Sequence, residues 1–270
     1  MSKKGKLYIA GDKHGEFSNT MSYSKRPLLR ELGPQDVMLI LGDCGVPFGI
    51  NMPDYKKNWY KHDKYELDWM SQKPFTWALL AGNHDDRDAI AQMPIVEKWG
   101  GQVRQMKLGN KVYDNIFYID TPQILDICGK HCLCVSGGHS HDADIVLDPN
   151  HPNLKRMIKA LRDRDAFFRI NHWNWWENED VDCGALSNLL DKDENLFQYY
   201  DYVFSHESPA LWELNGYGGI RRKTTAAQDY LEILRKNLFF YQWYHGHQHQ
   251  DFIYPEDKRI TCVYYDVIEL

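Results

Sequence analysis

Five short segments carry most of the chemistry open to this chain: Gly11-Asp12-Lys13-His14-Gly15, Gly42-Asp43, Gly82-Asn83-His84-Asp85, Ser205-His206 and Gly246-His247-Gln248-His249. Each ends or interrupts an apolar run, and each offers oxygen or imidazole ligands. Together they supply Asp12, His14, Asp43, Asn83, His206, His247 and His249, with His84 to spare. That mixture suits two borderline divalent ions (Mn²⁺, Fe or Zn²⁺) and metal-assisted hydrolysis rather than a structural zinc. Asp12 and His14 alternate at a strand end, where Gly11 and Gly15 permit a tight turn. The two carboxylate oxygens of Asp43 can bridge two ions, and Asn83 adds a neutral amide oxygen. His247 and His249 stand two apart on a segment that reads as extended, which places both on one face. Two ions about 3.5–4 Å apart lower the pKa of a bridging water and clamp phosphate oxygens.

Elements that could position these residues are legible around them. Leu7 to Ala10, Val37 to Leu41 and Trp77 to Ala81 are short continuous apolar runs, the pattern of strands covered on both faces. Helix-like segments, Ser22 to Leu32 and Tyr55 to Ser71, lie between them. Alternating strand and helix predicts a parallel sheet with crossovers, and such sheets bind ligands at the carboxyl ends of their strands. In the second half, Lys111 to Ile119, Gln123 to Ile127 and Cys132 to Ser136 read as antiparallel strands around turns. A helix is expected over Asn153 to Arg169. Tyr202 to Phe204 and Phe239 to Tyr244 read as buried strands running into the last two motifs, and Arg259 to Ile268 as a closing strand or hairpin. With no repeat or Pro/Gly-rich linker, the expected architecture is an α/β fold in one domain over residues 1–270, with two packed sheets and a Trp-rich insertion around 170–182.

The 270 residues are 43% hydrophobic and 14% aromatic, enough for a sizeable core, and the net charge of −6 argues against a protein built to coat nucleic acid. Leu7 to Ala10 is far too short for a signal-peptide core or a membrane span, so a cytoplasmic protein without membrane attachment is expected. Cys128, Cys132 and Cys134 have neither zinc-knuckle nor redox-dithiol spacing and read as small apolar side chains on a hairpin.

The order Asp-x-His, Gly-Asp, Gly-Asn-His-Asp, His, Gly-His-x-His resembles the calcineurin-like metallophosphoesterases, from Gly11 to His249, and most closely their small bacterial and phage-type members. The resemblance implies a two-sheet β-sandwich flanked by helices, layered α/β/β/α. It implies that Asp12, His14, Asp43 and His249 hold one metal and that Asp43, Asn83, His206 and His247 hold a second, with Asp43 bridging. It further implies that His84 contacts the phosphate and acts as general acid, with Asp85 orienting it. Phosphoprotein phosphatases of this superfamily carry an Asp-Arg pair shortly after the second motif. Here the text is Gly42-Asp43-Cys44-Gly45-Val46-Pro47, with no such Arg.

Other groups carry two readings each. His139 and His141, in Gly137-Gly138-His139-Ser140-His141-Asp142, sit either at the rim of the metal site, on substrate or metal, or in a polar glycine turn. Trp173, Trp175 and Trp176 form either an aromatic platform that stacks a base or a leaving group, or a hydrophobic staple for an insertion. Arg221, in the basic loop after Gly216-Tyr217-Gly218-Gly219, either steers phosphate or is a solvated charge. His62, His131, His151 and His172 belong to no constellation, and His245 reads as a strand-end residue. The reaction expected is hydrolysis of a phosphoester by a metal-bridging hydroxide. The substrate is open between small molecule, nucleotide and nucleic acid, and the oligomeric state is not legible. Two alternatives stand beside it: a nuclease or cyclic-nucleotide phosphodiesterase using the tryptophans, and a metal-stabilised binding module without turnover.

Overall fold

The computed structural model describes residues 5–217, 219 and 223–270. Its strands are β1 (Leu7–Ala10), β2 (Val37–Ile40), β3 (Thr76–Leu80), β4 (Ile95–Lys98), β5 (Gly101–Leu108), β6 (Lys111–Ile119), β7 (Gln123–Ile127), β8 (Lys130–Val135), β9 (Val146–Leu147), β10 (Arg169–Ile170), β11 (Tyr199–Ser205), β12 (Phe239–His245), β13 (Phe252–Ile253), β14 (Ile260–Cys262) and β15 (Val267–Glu269). One large sheet runs β15-β1-β2-β3-β6-β5-β4 and the other β13-β14-β12-β11-β8-β7. Each has a parallel centre and antiparallel edges. The neighbours from β1 through β2 and β3 to β6 are parallel, as are β8, β11, β12 and β14, while β7 and β8 pair antiparallel as expected and β6 lies in the other sheet from them.

Side-chain alternation explains the layers, because successive residues of a strand face opposite sides. Leu7, Ile9, Leu39, Ala78 and Leu80 meet Cys132, Cys134, Tyr202 and Phe204 in a core between the sheets. Tyr8, Ala10, Met38, Ile40, Trp77 and Leu79 point the other way and pack with Leu67 and Met70 of the helix Tyr60–Ser71. Leu133, Val135 and Val203 do the same on the second sheet, against Leu186, Leu190, Leu231 and Leu234 of the helices Cys183–Asp191 and Ala226–Asn237. Three cores make four layers, α/β/β/α. The Cys128-Cys132-Cys134 cluster is a hairpin, with β7 on β8, and those thiols are unpaired.

Three local expectations differ from the structure. Ser22 to Leu32 is mostly turns with a single 3₁₀ turn, Pro27–Arg30, because Pro27 cannot donate a helical hydrogen bond and keeps Arg26 out of the helical region, at φ −130° and ψ 74°. The helix after Pro152 covers Leu154–Arg162 and stops where Asp165 turns left-handed at φ 53°. The hairpin β4–β5 turns at Trp99-Gly100, both at positive φ, and Trp is an uncommon residue for such a turn, so the sequence gives little sign of it. A small separate core, Leu147, Leu154 and Ile170 with Met157, Leu161 and Trp173, unites β9, β10 and the intervening helix. That small core therefore begins well before residue 170. Among the described residues, no helix is long and apolar enough to cross a membrane.

Candidate metal centre

The carboxyl ends of the parallel strands in both sheets converge on one place. Asp12 follows β1, Asp43 follows β2, Asn83 follows β3, His206 follows β11 and His247 follows β12. The tips are laced together by backbone bonds: Lys13 and His14 N–H groups donate to the Asp43 carbonyl at 3.0 and 2.8 Å, and Gly137 N–H donates across the sheets to Ala81 at 2.7 Å. His14, Asp43, His247 and His249 all have left-handed backbones, with φ 45°, 46°, 68° and 52°. Non-glycine residues seldom adopt this conformation, and where the surrounding structure enforces it the cause is commonly functional. It also means that His247 and His249 do not share a face of an extended strand. A looped backbone brings them to the site instead. Gly42, at φ +99°, is required for contact as well as conformation: a Cβ there would lie 2.1 Å from His206 Nδ1.

Among the described residues the donor atoms form three groups: two share Asp43, and a third brings His141 and Glu207 to His247 within 4.8 Å. In the first, Asp12, His14, Asp43 and His249 place one ligand atom each within 4.8 Å of one another. His249 Nε2 lies 3.1 Å from Asp12 Oδ2 and 3.0 Å from His14 Nε2. In the second, Asp43, His206 and His247 meet the same limit. His206 Nε2 is 3.2 Å from Asp43 Oδ1 and 3.0 Å from Asn83 Oδ1, which adds the amide oxygen to the group.

The remaining bonds of these side chains aim them. His206 Nδ1 is 2.8 Å from the Leu41 carbonyl and donates to it, which leaves Nε2 for a ligand role. Asn83 Nδ2 donates to Ser140 Oγ at 3.0 Å, so the amide oxygen faces His206. Asp12 Oδ1 accepts the His247 N–H at 3.1 Å, and Asp43 Oδ1 accepts the His84 N–H at 2.8 Å. His249 stacks on Tyr264, with centroids 4.7 Å apart.

Charge in the protein alone fits a cation site. Burial opposes the charge of Asp43, but His206 and His84 outweigh it and hold the carboxyl well below its ordinary range. Burial likewise opposes the charge of His206, yet Asp43 and Asp12 push its pKa up to about 10. Its proton thus occupies ground suited to a metal ion. His247 Nε2 is buried without a hydrogen bond, 3.8 Å from Glu207 Oε2. A buried ring nitrogen left so, near the carboxylates of Asp12, Asp43 and Glu207, an amide oxygen and further imidazoles, matches the mixed O/N chemistry of divalent transition ions.

His84 borders both cavities beside the ligands. One, of about 330 Å³, is also lined by His14, Phe48, Trp59, His62 and Arg169. The other, of about 290 Å³, is lined by Asn83, Ser140, His141, Asp142 and His249 among others. Burial lowers the His84 pKa, and the Arg169 charge adds to that depression. Asp85 does not meet the His84 ring. Its carboxylate accepts the N–H groups of Gly82, Cys44 and Gly45 at 2.8, 3.2 and 2.8 Å and the Tyr118 hydroxyl at 2.9 Å. The bond expected to orient His84 is replaced by a brace that ties the third motif to the second.

His141 reaches the site, its ring 5.5 Å from that of His247, whereas His139 turns aside to Asp180, 3.4 Å away. Trp176 is 1% exposed and donates to Asp88 at 3.3 Å, which suits a staple and leaves no face for a base. Trp175 is half-buried and lines neither cavity. Arg221 lies outside the described residues. Sequence reasoning missed Phe48, Trp59, His62 and Arg169 in the cavity wall. It also missed Glu207, a fully buried carboxylate whose neighbour His206 was its one signal. Glu207 accepts from the His139 N–H at 3.0 Å and from Gln228 at 3.1 Å.

No curated protein sequence matches the chain. The crystal structure of phosphopantetheinyl hydrolase (PptH) from Mycobacterium tuberculosis is similar at a TM-score of 0.43 and 13% identity, over 98% of this chain and 91% of that one. The family model for calcineurin-like phosphoesterases matches residues 5–251, a span that includes every candidate ligand described above. The chain belongs to that family, and it is a metal-dependent phosphoester hydrolase.

Proposed function

We propose that the chain hydrolyses a small-molecule phosphoester with two divalent ions, one in each ligand group, and that Asp43 serves both. The observation that carries this reading is the sharing of Asp43 between two donor clusters. Asp12, His14, Asp43 and His249 would hold one ion, and Asp43, Asn83, His206 and His247 the other. Mn²⁺, Fe and Zn²⁺ all suit these ligands. When bound, such a pair supplies the nucleophile at neutral pH and charge stabilisation for phosphoryl transfer.

The protein's own groups do the rest. The bonds from Leu41 and Ser140 keep His206 and Asn83 aimed before any ion arrives, so little reorganisation is needed at reaction. His84, at the joint of the two cavities, is placed to donate a hydrogen bond to a phosphoryl or leaving-group oxygen. Burial lowers its pKa and so favours the neutral ring, which serves as an N–H donor rather than as a fixed cation. Cavities of about 330 and 290 Å³ suit a compact substrate. The burial of Trp176 weighs against a nuclease that stacks bases on the tryptophans.

The test is turnover of a panel of phosphomonoesters and phosphodiesters by protein reconstituted with Mn²⁺, Fe²⁺ or Zn²⁺. Metal-dependent hydrolysis of small phosphoesters is expected. Activity confined to single-stranded DNA would favour the nuclease. Inertness toward the whole panel in protein that holds two ions would favour the binding module.

A further inference from the structure

The cavity that joins His14 and His84 to Phe48, Trp59 and His62 has one arginine and no lysine in its lining among the described residues, and that arginine is Arg169. Its position is built rather than accidental. Arg169 lies on β10, which is bonded along β9: Arg169 N–H donates to Ile145 at 2.8 Å and the following Asn171 N–H to Leu147 at 3.0 Å. Next to it, Ile170 is buried in the small core around β9 and β10. The side chain of Arg169 is only 14% exposed, and Asp142 fixes its guanidinium by Nη2–Oδ2 at 2.6 Å and Nε–Oδ1 at 3.3 Å. The Phe167 ring supports the group at 4.9 Å. Both bonds to Asp142 use the Nε/Nη2 edge, so the Nη1 donors remain for another acceptor.

Asp142 in turn lines the second cavity, on the other side of His84. The Asp142–Arg169 pair therefore stands beside the joint where the two cavities meet the ligand groups. A cation held half-buried there costs desolvation that one exposed carboxylate only partly offsets. An anionic substrate would supply the missing partner. A planar guanidinium with a fixed fork matches two phosphoryl oxygens better than a mobile lysine does.

We propose that Arg169, oriented by Asp142, grips the non-bridging oxygens of the substrate phosphoryl group, with the leaving group lying along Trp59 and Phe48. This assignment rests on the phosphoester-hydrolase reading and adds a phosphate-binding residue from β10 to it. Asp142 is then a positioning residue, acting through Arg169.

The experiment compares metal-loaded wild type with Arg169→Met, Arg169→Gln, Arg169→Lys and Asp142→Asn. It measures aryl phosphate turnover, competitive inhibition by inorganic phosphate, the rise in melting temperature caused by phosphate, and metal content. Arg169→Met should lose about 100-fold in kcat/KM and weaken phosphate inhibition at least about tenfold, with metal content unchanged. It should also shrink the phosphate-induced rise in melting temperature at a given phosphate concentration. Arg169→Lys should recover part of the loss, and Asp142→Asn should weaken phosphate binding less than Arg169→Met does. Arg169→Met that retains wild-type turnover and phosphate inhibition would overturn the assignment and leave the hydrolase reading intact. Wild type that neither turns over a phosphoester nor binds phosphate would sink the hydrolase reading itself. If Arg169→Met fails to fold, wild-type phosphate inhibition in the uncharged Arg169→Gln overturns the assignment equally.

Discussion

The two candidate ligand groups that meet at Asp43 share one carboxylate and little else. In the group of Asp43, Asn83, His206 and His247, the His206 and Asp43 side chains are 0% and 1% exposed and that of His247 is 9% exposed. In the group of Asp12, His14, Asp43 and His249, the two imidazoles are 35% and 49% exposed, and their Nε2 atoms face each other at 3.0 Å. The buried group is aimed by the Leu41 carbonyl and Ser140. The open group has Tyr264 behind His249 and cavity on its other side. Low dielectric and fixed geometry strengthen a charge site, whereas solvent and mobile rings weaken it. The buried group should therefore bind its ion more tightly, and the open group should exchange its ion with solvent and meet the substrate.

The sharpest way to break this asymmetry is at the shared residue. Asp43→Asn should reduce phosphoester kcat by at least about 10³-fold and lower the affinity of both ions, as read by steady-state kinetics and by metal analysis after dialysis. Next come the single-group variants. His206→Ala should lose the tightly held ion, whereas His249→Ala should lose only the one that chelator removes first. If both variants lost the same ion, the division into two groups would be wrong.

Proton competition comes third. In the metal-free protein, the His206 proton is held by Asp43 up to a pKa of about 10, and Asp12 raises His249 from its ordinary value. Both folded values lie above the unfolded one. Their contribution to metal-free stability is therefore fully present below the unfolded pKa and is lost as pH rises, for His206 through about pH 10. Each ion must displace such a proton, so affinity should rise about tenfold per pH unit for each proton released. Isothermal titration in buffers of different ionisation heat should detect that release. A pH-independent affinity between pH 6 and 9 would contradict the arrangement. The smallest effect belongs to Tyr264→Leu, which removes only the stacking support of His249. It should weaken the open-group ion by about tenfold or less and leave the other unchanged.

The same contrast runs through what the sequence disclosed. Asp12, Asp43, Asn83, His206 and His247 were visible because each follows an apolar strand, and parallel strands deliver their ends to one edge. The central strands of both sheets followed from residues that alternate or run apolar, down to the bounds of Leu7–Ala10, Lys111–Ile119 and Gln123–Ile127, whereas the β4–β5 edge did not. The cavity wall was not visible. Phe48, Trp59, His62 and Arg169 come from loops, helix ends and a short strand, and no period or spacing links them. The burial of Trp176 was equally hidden, since a Trp among Asn and Glu reads as a platform or a staple until its surroundings are known. Asp85 shows a third kind of blindness: the residue next to a histidine in sequence spends its carboxylate on backbone groups of another loop.

The central claim is that Asp43 serves two metal ions. Crystals grown with Mn²⁺ or Zn²⁺ and measured at the metal absorption edge test it most directly. Two anomalous peaks about 3.5–4 Å apart, both in contact with the Asp43 carboxylate, are predicted. A single peak, or two peaks of which only one touches Asp43, would contradict it.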